Sequence, residues 1–147
     1  MDYSCLELSN QLCFPLYLCA KEITRRYESF LKPLNLTYTQ YIVMLYFWEH
    51  GSSNVGMVGR TLLLDSGTLT PLLKLLEQKG YIKRERSEKD GRVLTLKVTP
   101  AGLRLRDEAV KIPEQLRKCL NLTAEEAKLL HGLLYKVLLD IKETENA

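Results

Sequence analysis

No stretch of this sequence is apolar for the roughly 20 residues that a bilayer span requires. The N-terminus, Met1-Asp2-Tyr3-Ser4, lacks the basic start and continuous apolar core of a secretion signal. A cytoplasmic protein with no membrane partner is therefore expected. Cysteine is sparse, four in 147 residues, and none of Cys5, Cys13, Cys19 and Cys119 forms a Cys-x-x-Cys pair or a His-containing zinc spacing. The two histidines, His50 and His131, have no neighbours that would complete a metal site, so neither metal nor cofactor is expected. A reducing cytosol also disfavours a permanent disulfide framework, leaving the thiols as apolar fillers or reactive groups. Low-complexity tracts are missing and charged content is an ordinary 27%, which argues against disorder. Net charge is only +3, too small to declare a nucleic-acid partner.

The distribution of that charge says more. Between Lys74 and Arg106 ten basic residues face four acidic ones, a local +6, while the remaining 11 basic and 14 acidic residues leave −3 elsewhere. A mildly acidic body with one basic stretch is the electrostatic footprint expected for a polyanion. The 46% apolar content is enough for one domain to bury a core.

Along the chain, Leu12, Leu16, Cys19, Ile23 and Tyr27 recur at helical spacing, predicting a helix from about Ser9 to Leu31. Pro15 is tolerable in a first turn and would kink a helix that began earlier. Lys32-Pro33-Leu34-Asn35 breaks the pattern, and Thr37 reads as the N-cap of a second helix through Tyr41–Trp48, with Tyr41 and Tyr46 on its core face. Gly51-Ser52-Ser53-Asn54 reads as a turn. A short helix weakened by Gly56 and Gly59 follows, and then a stronger one from Asp65 toward Gly80. In the latter, Leu69, Leu72, Leu73 and Leu76 form one face, while Thr68, Thr70, Pro71, Lys74 and Gln78 form the other.

After Gly80 the period switches to two. Tyr81–Arg86 and Val93–Val98 predict a hairpin whose charged tip contains Asp90-Gly91-Arg92. Thr99 and Pro100 start a helix running toward Cys119, with Pro113 able to kink it. Thr123-Ala124-Glu125-Glu126 is a capping box for a last helix ending near Glu143.

Three helices followed at once by a two-stranded wing give a mainly α fold with a small β-hairpin, the winged helix-turn-helix. Its reading helix would enter a major groove and its hairpin the adjacent minor groove. A single domain spanning 1–147 is expected, with a DNA-binding part at about 36–99. The flanking helices, about 1–34 and 100–147, are apolar on more than one face, which points to a homodimer. A winged helix used only to bind protein is the competing reading, and the basic wing counts against it.

Asp65-Ser66-Gly67-Thr68-Leu69-Thr70-Pro71-Leu72-Leu73-Lys74, together with Arg86–Arg92, resembles the MarR family, whose wing carries an Asp-x-Arg motif. Asn10-Gln11-Leu12-Cys13-Phe14, followed by Tyr17, Tyr27 and Thr37-Tyr38, resembles one branch, the organic hydroperoxide resistance regulators and their staphylococcal thiol-based relatives. The match runs in order through nearly the whole chain. It implies a dimer on an inverted-repeat operator, double-stranded DNA, with Arg92 in a minor groove held by Asp90. Carried across, Ser66, Thr68 and Thr70 would contact phosphates or base edges, and Lys74 and Arg86 the backbone. The resemblance also implies that organic hydroperoxide oxidises Cys13 and releases DNA. Tyr17, with Tyr27 and Tyr38 of the other subunit, would hydrogen-bond the thiolate. Cys119 resembles the resolving position of the two-cysteine branch, where an intersubunit disulfide forms; a low-molecular-weight thiol is the alternative resolving partner.

The residues bear on this chemistry independently. Peroxide reduction needs a thiolate, and a helix start favours negative sulfur through its unpaired amides and macrodipole. Tyr17, at i+4 from Cys13, shares its face and can donate. Cys19 is about 240° around the helix from Cys13 and cannot pair with it without unfolding. Two other readings stand beside this one. In the first, a repressor is gated by a small phenolic or lipophilic ligand, with Cys13 structural. In the second, a thiol peroxidase would need an organised cysteine pair and a recycling reductant, for which the sequence offers nothing, so an enzyme is not expected.

Overall fold

The computed structural model describes residues 1–86 and 94–145, the side chains of 142–145 excepted. The chain divides into two compact units, residues 1–111 and 112–147.

The first unit opens on two 3-10 turns, Ser4–Leu6 and Leu8–Asn10, before helix α1, Cys13–Leu31. The expected start near Ser9 is therefore four residues too early. Pro15 explains this, because only within the first turn does its missing N–H cost nothing. A 3-10 turn at Lys32–Leu34 leads into α2, Tyr38–His50, whose capping box is complete. In it the Gln40 N–H donates to Thr37 Oγ1 (3.3 Å) and the Thr37 N–H to Gln40 Oε1 (3.1 Å). Asn35 between them adopts φ +53°, a left-handed conformation that asparagine tolerates.

The remaining elements of this unit are β1 (Ser52–Ser53), α3 (Val55–Leu62), α4 (Ser66–Gln78), β2 (Ile82–Arg86), β3 (Leu94–Val98) and α5 (Pro100–Ala109). The sheet is antiparallel in the order β1-β3-β2, with Arg84 opposite Leu96 and Ser52 opposite Lys97. Ser52–Ser53, read from sequence as part of a turn, is a short third strand: the free edge of β3 supplies its partners, and nothing in its own residues announces it. Phe47, Met44, Val43, Leu31, Leu69, Leu73, Leu76, Ile82 and Leu96 are the buried core, each at 2% exposure or less. The expected core positions Tyr41 and Tyr46 are buried as well.

In the second unit α6 spans Ile112–Cys119 and α7 Ala124–Glu145. The single kinked helix expected from Pro100 to Cys119 is instead two helices. A continuous one would require Pro113 to donate to the Ala109 carbonyl, which its ring nitrogen cannot do. Thr123 caps α7 as expected, accepting from the Glu126 N–H (3.2 Å) while Glu126 accepts from the Thr123 N–H (2.8 Å). Along α7, Leu130, Leu133, Leu134, Val137, Leu138 and Ile141 are all exposed, an apolar stripe at i, i+3, i+4, i+7, i+8 and i+11.

Candidate functional site

The polar face of α4 is held outward by a closed N-terminus. Asp65 accepts the Thr68 N–H at Oδ1 (2.9 Å) and the Thr68 hydroxyl at Oδ2 (2.7 Å). These bonds, the hydroxyl first, keep the Asp65 carboxyl below its usual range. Leu69, Leu72, Leu73 and Leu76 are buried, so Ser66, Thr68, Thr70, Pro71, Lys74 and Gln78 are exposed. Pro71 lies inside the helix and cannot donate to the Gly67 carbonyl.

Two residues set the angle between α3 and α4. Leu63 turns the chain at φ +53°, a conformation that costs a non-glycine residue about 1–2 kcal/mol. A Cβ on Gly59 would sit 3.0 Å from the Leu64 carbonyl and 3.4 Å from Leu69 Cδ2, so glycine here permits close approach rather than merely weakening α3. Arg86 ends β2 and is exposed. Two neighbouring cations are partly engaged, Arg84 with Glu77 (3.1 Å) and Lys83 with Glu85. Asp90 and Arg92 lie outside the described residues.

Cys13 is the first residue of α1, exposed, and a free thiol. The cap position is Leu12, whose side chain makes no capping bond. Tyr17, one turn on, is exposed with it. Tyr27 and Tyr38 are brought together, with ring centroids 4.7 Å apart, and Tyr27 lies 5.7 Å from Tyr41. Burial, then the neighbouring Tyr38 and Tyr41, pushes the Tyr27 phenol up to about 12; burial also raises Tyr38. Along α1 the rise from Cys13 to Tyr27 is about 21 Å, so one chain does not bring its own Cys13 to its own tyrosine pair. Cys119 ends α6, exposed, its Sγ donating to the Gln115 carbonyl at 3.4 Å. Cys5 and Cys19 are exposed free thiols.

One group of contacts was not anticipated from sequence. The Lys79 Nζ donates to the Asn35 carbonyl (2.6 Å) and to Gln40 Oε1 (2.9 Å), and the Tyr81 hydroxyl donates to the Leu34 carbonyl (3.3 Å). Lys79 otherwise reads only as one more cation of the basic stretch. The Thr37-x-x-Gln40 spacing was the one local signal available. Beside these contacts a concavity of about 530 Å³ is lined by Thr24, Glu28, Lys32, Thr37, Tyr38 and Lys79, among others. Among the described residues no cluster could hold a metal ion, and no helix is long and apolar enough to cross a membrane.

Residues 25–108 match the family described as transcriptional regulator SarA/Rot. The chain is 44% identical over 133 residues to the organic hydroperoxide resistance transcriptional regulator of Bacillus subtilis, covering 90% of each. Among solved structures it is similar to reduced AbfR bound to DNA, with 33% identity and TM-score 0.80 over 98% of this chain and 99% of that one. It is also similar to a MarR variant from E. coli complexed with operator DNA, with 26% identity and TM-score 0.81 over 94% and 99%.

Proposed function

The chain belongs to the SarA/Rot family of transcriptional regulators, within the MarR-type winged-helix proteins, and from that premise we propose a homodimeric repressor that releases operator DNA when organic hydroperoxide oxidises Cys13. The observation that carries the reading is the exposed thiol at an uncapped helix start, in a chain whose separate winged-helix part presents a polar reading face. In this reading Ser66, Thr68, Thr70 and Lys74 meet the major groove and its phosphates, Arg86 meets the backbone, and Arg92, positioned by Asp90, enters the minor groove.

The chemistry balances simply. The thiolate attacks the peroxide, the O–O bond breaks, an alcohol leaves, and sulfur is oxidised by two electrons to a sulfenic acid. A second thiol, from Cys119 of the other subunit or a small molecule, then forms a disulfide with loss of water. The reaction is stoichiometric, so the protein is a sensor in the cytoplasm and not an enzyme. Two chains are required, because about 21 Å of α1 separates Cys13 from the tyrosine pair within one chain. The apolar stripe of α7 supplies a surface for pairing them.

The concavity containing Tyr38, Lys32 and Lys79 favours one second reading, a repressor gated by a small phenolic or lipophilic ligand. Mobility shift on DNA upstream of the chain's own gene, with and without cumene hydroperoxide, tests the proposal. Loss of the shifted band on treatment supports it, whereas a band that persists at full Cys13 oxidation contradicts it. Without added reductant, peroxide consumption should stop after one equivalent per sensing thiol.

A further inference from the structure

The turn between α4 and β2 is bonded to the start of α2 more tightly than packing alone requires. The Gln40 side chain, at 4% exposure, is the single buried polar residue among the described core residues. Its Oε1 accepts from two directions, the Thr37 N–H of its own helix start (3.1 Å) and the Lys79 ammonium arriving from the reading helix (2.9 Å). The same ammonium holds the Asn35 carbonyl at 2.6 Å, in the left-handed turn that aims α2. Tyr81, two residues beyond Lys79, donates to Leu34 in that turn. On the other side of the junction the Thr99 N–H donates to the Tyr81 carbonyl (3.0 Å), tying in the end of the hairpin.

Tyr38 is the first residue of α2, between Thr37 and the Gln40 acceptor, and packs against Tyr27 of α1 with the rings tilted by 43°. A buried amide oxygen with two charge- or backbone-borne donors cannot lose one cheaply. The start of α2 and the end of α4 must therefore shift together or part with a stranded group.

We propose that Lys79 is a positioning residue that couples the tyrosine-bearing start of α2 to the DNA-reading helix, through Gln40 Oε1 and the Asn35 carbonyl. This rests on the reading that Tyr27 and Tyr38 face the sensing sulfur. In that setting, oxidation that displaces Tyr38 pulls on Gln40, and the Lys79 tie passes the displacement to α4. The ammonium is spent on the protein and is not a phosphate contact, although it belongs to the basic stretch.

The test compares operator affinity before and after cumene hydroperoxide, by anisotropy on labelled duplexes tiling the chain's own upstream region. The variant is Lys79→Met, which keeps the stem and removes the donors. The expected result is a reduced-state Kd within about threefold of wild type, an unchanged salt slope, and a ratio of oxidised to reduced Kd smaller by about fivefold or more. A folded variant with the wild-type ratio overturns the coupling role. A salt slope shallower by about one makes Lys79 a phosphate contact and overturns it as well. A wild-type protein whose Kd ignores the peroxide overturns the sensing reading and this role with it, a different outcome from a responsive wild type beside an equally responsive variant. If Lys79→Met melts below assay temperature, it and wild type are titrated together at a temperature below its melting point and judged by the same ratio.

Discussion

The helix starts in this chain are built in two ways. In the winged-helix part Thr37, Asn54, Asp65 and Thr99 each close a helix with a side-chain oxygen on a first-turn amide. At the start of α1 the cap position is Leu12, nothing is closed, and the first helical residue is Cys13. Burial repeats the contrast: α2 buries six of its residues, α1 only Leu31. Capped, buried helices hold a reading face still in a single chain. An uncapped, exposed helix start leaves amides and a sulfur available for chemistry, and leaves its apolar residues for a second chain to cover. Stability and sensing are thus assigned to different stretches, which is what a switch needs if oxidising one is not to unfold the other.

Breaking the stable side should have the largest effect. Phe47, fully buried, truncated to alanine should cost about 3–5 kcal/mol, read as a fall in the urea midpoint. The reading side is sharpened by Arg92→Ala, which should weaken operator binding by about 1–3 kcal/mol and reduce the salt slope by about one. Unchanged binding would remove the wing from the groove. A smaller effect of opposite sign is expected at the α3–α4 turn, where Leu63→Gly relieves the left-handed conformation at φ +53° and should raise stability by about 1 kcal/mol.

The subtlest effect is on pH dependence. The Tyr27 phenol is raised to about 12 in the folded chain, against 10.0 ordinarily. The unfolded chain therefore loses its proton first as pH rises. Stability from this group is complete below pH 10 and declines toward pH 12. Denaturant midpoints between those values should fall less steeply in Tyr27→Phe than in wild type.

Much of this was legible in the sequence because it is written locally. The Thr37, Thr99 and Thr123 caps, the leucine face of α4 and the switch to period two after Gly80 each sit within a few residues of the element they specify. The features that were not legible are those set by distant partners. Ser52–Ser53 is a strand because β3 offers an edge. Lys79 has its partners 44 and 39 residues away in Asn35 and Gln40. The Trp48 indole donates to the Gly102 carbonyl, 54 residues on. The site divides the same way. Exposure of the α4 polar face follows from helical period, whereas the Tyr27–Tyr38 pair depends on how α1 meets α2, which no spacing encodes.

The central claim is that the sulfur of Cys13 controls DNA binding, and one anisotropy titration tests it most directly. Wild type and Cys13→Ser are each titrated onto the same upstream duplex, reduced and after stoichiometric cumene hydroperoxide. The account predicts that both reduced proteins bind alike, that oxidised wild type loses affinity by tenfold or more (about 1.4 kcal/mol), and that the serine variant keeps its Kd. A serine variant that still releases DNA on peroxide treatment would contradict it.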